Sequence, residues 1–104
     1  MVKKLLTKEE ILKTIELNSK IIKNLGVKKL TLFGSYARDT QKNNSDIDFL
    51  VEFENKRGLF DDYTNLLHLF EETFERNIDL VKKNLVREEL KPYILGGKKY
   101  EARI

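Results

Sequence analysis

Apolar residues recur along this chain with two periods, and the switches between them divide it into elements. Ile11, Ile15, Ile22 and Leu25, supported by Leu12 and Ile21, follow near-helical spacing. Thr7 and Glu10 precede them in the form of a capping box, in which hydroxyl and carboxylate satisfy N–H groups left free at a helix start. Gly26 stands where such a helix would stop, so the pattern predicts a helix over 8–25. Val27–Phe33 alternates around Leu30 and Leu32, predicts a strand, and runs straight into Gly34-Ser35. The stretch from Tyr36 to Asn44 is polar, with Asn43-Asn44 as a turn signal and only Tyr36-Ala37-Arg38 able to open a short helix. Asp46–Phe53 is the clearest strand. Ile47, Phe49, Val51 and Phe53 point one way, while Asp46, Asp48, Leu50 and Glu52 point the other.

After Gly58 a second amphipathic helix carries Phe60, Tyr63, Leu66, Leu67, Phe70 and Phe74, all expected in the core. Asn77–Lys82 holds a short strand, Ile-Asp-Leu-Val. Val86–Leu95 predicts a third helix, bent or restarted at Pro92 and ended by Gly96-Gly97. Tyr100–Ile104 reads as a final short strand or a tail. The order implies an α/β (α+β) fold, a small mixed β-sheet with helices packed on it, as one domain over 1–104.

Composition narrows the partners. At 40 % hydrophobic residues the 104-residue chain can bury one modest core, and 36 % charged residues imply a densely ionic surface. Net charge is only +3, and the lysines are spread over helix faces rather than gathered into a block interleaved with aromatics. Nucleic acid is therefore not expected as a direct partner. There is no cysteine, which excludes disulfides and thiolate metal sites. No apolar run approaches the roughly 20 residues of a membrane span, and the N-terminus lacks a signal-like core, so the expected setting is the cytoplasm, away from membrane.

The candidate chemistry lies between Gly34 and Asp48. Asp46 and Asp48, two apart on a strand, project from one face with about 7 Å between Cα atoms. From there both can ligand one Mg²⁺ or bracket two ions about 4 Å apart. Like charges held this close are destabilising without a cation. Asp-x-Asp alone more often marks a solvated strand end, and Gly-Ser alone an ordinary strand-ending turn. Together they supply more: glycine admits close approach of a polyphosphate, and the serine hydroxyl and adjacent N–H groups can donate to phosphate oxygens. Asp79, between Ile78 and Leu80, is the natural third carboxylate. Arg38 is a candidate phosphate cation. Lys42 and Lys82 read as solvated, and His68, amid Leu66, Leu67, Leu69 and Phe70, reads as structural rather than catalytic.

These residues resemble the minimal nucleotidyltransferases (MNT domains) of the DNA polymerase beta-like superfamily. The motif there is Gly-Ser, a small helix, Asp-x-Asp on the next strand and a third Asp on a later one, here Gly34, Ser35, Asp46, Asp48 and Asp79. The resemblance covers nearly the whole chain. It implies a two-metal mechanism with Mg²⁺ as cofactor and ATP as substrate. Asp46 and Asp48 would hold Mg²⁺ against the phosphates, while Ser35 grips the triphosphate tail. Asp79 would ligand the second ion or help deprotonate the attacking hydroxyl. It further implies an antitoxin of a type VII toxin–antitoxin pair, partnered with a helical HEPN toxin whose tyrosine it adenylylates. One departure stands out: the residue after Arg38, often glycine in the family, is Asp39, whose Cβ and charge could reshape the phosphate loop.

Two readings compete. In the first the chain is an enzyme, a protein adenylyltransferase; in the second it neutralises its toxin by binding alone, with the metal site a relic. All the motif positions being filled favours the first. The acceptor, the number of nucleotides added, the nucleotide preference and any self-association into a homo-oligomer leave no mark in the sequence.

Overall fold

The structure, a computed structural model, describes residues 5–104. Its elements are α1 (Lys8–Leu17), α2 (Ser19–Asn24), β1 (Val27–Phe33), α3 (Gly34–Arg38), β2 (Ile47–Phe53), α4 (Phe60–Phe74), β3 (Ile78–Lys82), α5 (Lys91–Leu95) and β4 (Tyr100–Glu101). The four strands form one mixed sheet in the order β3-β2-β1-β4. β1 runs antiparallel to both β2 and β4, and β2 runs parallel to β3. This is the α/β architecture that the alternating periods predict.

The capping box at the start of α1 forms as expected. The Glu10 N–H donates to Thr7 Oγ1 at 3.2 Å, and the Thr7 N–H donates back to Glu10 Oε1 at 3.3 Å. The single helix expected over 8–25 is interrupted at Asn18, whose backbone relaxes to φ −104°, ψ 14°. Its side-chain amide donates to the Thr14 carbonyl at 2.8 Å, in the local competition for backbone acceptors that makes Asn a poor mid-helix residue. The ladder restarts from the Asn18 carbonyl, which accepts from the Ile22 N–H at 3.0 Å. Ile11, Ile15 and Ile22 stay buried across the break, but Ile21 is turned to solvent. Gly26, at φ +85°, ends α2 in the left-handed conformation that glycine adopts without strain.

One face of the sheet holds the core. Leu30, Leu32, Ile47, Phe49, Val51 and Leu80 are buried with Ile11, Ile15 and Ile22 of the first two helices and Leu66, Phe70 and Phe74 of α4. Phe49 is its aromatic centre, with ring centroids 4.8 Å from Phe70 and 6.2 Å from Phe74. Tyr63 Oη donates to the Leu80 carbonyl at 2.6 Å and fastens α4 to β3. Phe60, expected in the core, is 80 % exposed. It is the first residue of α4, so the stripe begins one turn later at Tyr63.

The single helix expected over Val86–Leu95 is absent. Val86 and Arg87 are extended and two 3₁₀ turns, Lys83–Leu85 and Glu88–Leu90, precede α5. Pro92 lacks the N–H that a helix interior needs, so the helix can only begin around it, and Pro92 sits in the first turn of α5. The open choice for Tyr100–Ile104 resolves as β4: Tyr100 pairs with Leu32, Glu101 with Thr31, and the Ala102 N–H donates to the Leu30 carbonyl at 2.8 Å.

Candidate active site

The strand register assembles the candidate site. Phe33, the last residue of β1, pairs with Asp48 of β2, and Asp48 pairs in turn with Asp79 of β3. Gly34 follows Phe33 at once, with φ +76°, and opens α3. A Cβ built on Gly34 would lie 2.0 Å from Asp48 Oδ2. Glycine is thus required here twice over, by its positive φ and by the carboxylate that fills the space a side chain would take. The sequence points to a close approach of phosphate at Gly34; what the structure adds is a close approach of Asp48. Tyr36 and Ala37 of α3 are fully buried and anchor this turn in the core.

Asp48 and Asp79 lie within hydrogen-bonding reach, and the pair is electrostatically loaded. Burial pushes the Asp48 carboxyl up to about 6, and the charge of Asp79, a hydrogen bond with it and the charge of Asp46 push the same way. The positive field of Arg38 opposes them. Two carboxylates brought together with insufficient positive charge either share a proton or take up a cation. Hard oxygen donors of this kind suit Mg²⁺.

The other expected residues are placed less uniformly. Asp46 is exposed, one residue ahead of β2, and reaches Asp48 through its charge. Among the described residues no three His, Cys, Asp or Glu side chains close into a ready metal cluster. The structure therefore brings Asp48 and Asp79 together and leaves Asp46 apart from them. Ser35 is half-buried, and its carbonyl accepts from the N–H groups of Asp39 and Thr40.

Asp48 and Asp79 sit in a cleft of about 340 Å³ with Phe33, Gly34, Arg38 and Val81. Leu90, Ile94, Gly97 and Lys98 of the C-terminal segment complete it. None of these four is marked as a site residue by the sequence pattern. Val81 could have been, since it lies two residues after Asp79 and so shares its face. The others needed the course of the chain after β3. A larger cleft, about 620 Å³, lies where β2 and β3 end, among residues 52–59, residues 82–84, Val86 and Lys91. It contains none of the candidate carboxylates. Most of its cations have partners: Arg57 pairs with Asp62, Lys83 with Glu52 and Lys91 with Glu88. Lys82, expected to be solvated, is half-buried there, donates to the Gly58 carbonyl and lies over the Tyr63 and Phe53 rings. His68 faces solvent on α4, and Lys42 is exposed in the loop before β2.

Asp39 adopts φ +59°, ψ 32° and caps α3. This left-handed conformation is the one for which glycine is ordinarily chosen, and Asp is among the few residues that also tolerate it. Its carboxylate pairs with Lys8 Nζ at 2.5 Å, and the same ammonium lies 5.5 Å from the Tyr100 ring centre. The negative charge that could have opposed phosphate is matched by a lysine at the start of α1.

Comparison with known proteins identifies the family and the fold. A family model described as a nucleotidyltransferase domain matches residues 9–102. A protein of Methanocaldococcus jannaschii assigned as a protein adenylyltransferase is 42 % identical over 84 residues, covering 78 % of this chain and 89 % of its own. The protein adenylyltransferase MntA of Thermococcus cleftensis is 32 % identical over 92 residues, 88 % of this chain and 92 % of that one. Among solved structures, one described as a minimal nucleotidyltransferase superposes with TM-score 0.76 at 25 % identity, over 92 % of this chain and 97 % of its own. A chain from a toxin–antitoxin crystal structure with AMP-PNP gives TM-score 0.61 at 26 % identity, over 81 % of this chain and 70 % of its own. With the family match running through every strand from residue 9 to residue 102, the protein belongs to the nucleotidyltransferase domain family, in the minimal form of that fold.

Proposed function

We propose that the protein transfers AMP from ATP to a tyrosine hydroxyl of a HEPN-family toxin and thereby acts as its antitoxin. The observation that carries this reading is the Asp48–Asp79 pair, set beside Gly34 in a cleft and charged beyond what Arg38 offsets. Support for the acceptor class comes from relatives: the MntA protein is a protein adenylyltransferase, and the AMP-PNP complex is a toxin–antitoxin pair.

Asp48 and Asp79 would hold the magnesium, with Asp46 joining them once its exposed side chain turns toward the cleft, two ions being the expected number. Mg²⁺ bound there neutralises triphosphate charge and makes the acceptor hydroxyl more acidic. Arg38 offers a guanidinium to phosphate oxygens from the cleft wall. Gly34 leaves free the space that the Asp48 carboxylate fills, and Ser35, one residue into α3, would donate its hydroxyl to the triphosphate tail. Asp79, exposed where Asp48 is half-buried, is the carboxylate open to take the proton of the attacking hydroxyl. A bond forms between the tyrosine oxygen and the α-phosphorus, the α–β bridging bond breaks, and pyrophosphate leaves.

Purified protein incubated with α-labelled ATP, Mg²⁺ and a HEPN protein encoded beside it should label a tyrosine of that protein, and Asp48→Asn should abolish the labelling. Transfer that survives Asp48→Asn would sink the assignment. A tight complex with no transfer by either form would establish the binding-only reading instead.

A further inference from the structure

The described residues place two cations on the walls of the carboxylate cleft, and they come from opposite ends of the fold. Arg38 ends α3, directly after the Gly34 turn; Lys98 lies between α5 and β4. The chain path explains how the second arrives. β4 pairs antiparallel with the last part of β1, Tyr100 opposite Leu32, so the segment that enters β4 passes the end of β1, where Gly34 follows. Gly97 and Lys98 of that segment line the same cleft as Gly34.

Lys98 is also uncommitted. It is exposed and forms no ion pair or hydrogen bond among the described residues. Lys8, Lys29, Lys82, Lys83, Lys91 and Arg57 each have a carboxylate or carbonyl partner. Gly97 beside it has nothing within 4 Å of where a Cβ would stand, so this wall of the cleft is open. Its neighbour Lys99 faces a separate depression with Lys29, Thr31, Leu50, Glu52 and Glu101.

We infer that Lys98 is a substrate-binding residue whose ammonium takes the nucleotide's phosphate oxygens from the C-terminal wall while Arg38 takes them from α3. The inference rests on the ATP reading above and adds to it a residue outside the sequence motif. It also gives the C-terminal segment a part in the site: β4 closes the sheet edge and, in doing so, fixes where Lys98 enters the cleft. An ammonium and a guanidinium on different walls hold a polyphosphate by position as well as by charge.

Calorimetric titration of the metal-loaded protein with the ATP analogue AMP-PNP, and separately with adenosine, tests this without any acceptor. Lys98→Ala should weaken AMP-PNP binding about tenfold, the factor expected of one charge-assisted hydrogen bond at a solvent-accessible site. It should leave adenosine affinity and thermal stability unchanged. Lys98→Arg should restore most of the affinity, and Lys99→Ala should behave as wild type. Wild-type affinity for AMP-PNP in Lys98→Ala would overturn the inference, as would an equal loss for adenosine. Failure of the wild-type protein to bind AMP-PNP while Lys98→Ala remains folded would instead remove the ATP reading on which the inference stands.

Discussion

At the scale of single residues, Gly34 and Asp48 constrain each other. Alanine at 34 would hold a left-handed backbone, which costs about 1 kcal/mol or more, and would drive a methyl to 2.0 Å from Asp48 Oδ2. Gly34→Ala should therefore destabilise the protein by about 2–4 kcal/mol in urea unfolding and displace Asp48 as well. A loss below 1 kcal/mol would show that the turn has more room than the structure gives it. Asp48 itself has a pH signature. Its folded-state value of about 6 lies above the ordinary 3.8, so the stability it lends the protonated native state is full below pH 3.8 and lost as pH rises through 6. In metal-free protein, Asp48→Asn should thus exceed wild type in stability at pH 8, by on the order of 2 kcal/mol, and match it at pH 3.5. Added Mg²⁺ should raise the melting temperature of wild type at pH 8 but not that of Asp48→Asn. An Asn variant no more stable than wild type at pH 8 would show that the carboxylate pair is not strained without metal.

At the scale of elements, what the sequence discloses depends on whether an element's fate is decided locally. β2 is legible because alternation fixes both its faces: Phe49 inward, Asp48 outward. α4 is legible from Tyr63 on, yet Phe60 is misread, since periodicity cannot say where the sheet beneath a helix ends. The break at Asn18 and the start of α5 only at Lys91 hinge on one side-chain amide and one missing N–H, which a stripe of apolar residues does not record. The candidate site divides in the same way. Asp48, Asp79 and Gly34 follow from motif and strand, whereas Lys98 depends on β4 pairing back across the chain to β1. The start of α4 carries its own test. Asp62 accepts from the Gly58 N–H at 2.9 Å and from Arg57 Nε and Nη2 at 2.8 and 2.9 Å, while Arg57 also donates to the Asn24 carbonyl at 2.9 Å. The Arg57 hydrogen bonds, then the Gly58 N–H, hold its carboxyl at about 2, below the ordinary 3.8. The stabilisation is present above pH 3.8 and lost as pH falls toward 2. Asp62→Asn should accordingly be less stable than wild type at pH 6 in urea titrations, with the gap closing by pH 2; a constant gap would assign the effect to packing.

For the whole molecule, the pleat of β2 keeps stability and chemistry on opposite sides of one sheet. Phe49 packs in a triangle of rings with Phe70 and Phe74 on the helix-covered face, and Asp48, its neighbour in sequence, lies in the cleft on the other. A domain of this size has only about 5–15 kcal/mol of net stability. Phe49→Ala, at about 3–5 kcal/mol, would consume much of that and blur any functional comparison. Phe49→Leu is the sharper probe, because it shortens the ring cluster while keeping an apolar side chain, at a cost of about 1–1.5 kcal/mol. Such a loss lowers the melting temperature of a domain near 100 residues by about 4–10 °C. If the two faces are separable, Phe49→Leu should melt earlier yet bind AMP-PNP with wild-type affinity at 15 °C, where it remains folded. Asp48→Asn should do the reverse at pH 8, melting later in the absence of metal and losing magnesium-dependent nucleotide binding. Should Phe49→Leu weaken AMP-PNP at 15 °C as much as Asp48→Asn does, the carboxylate would depend on the ring packed behind it. The cleft would then be positioned by the core rather than by the strand register alone.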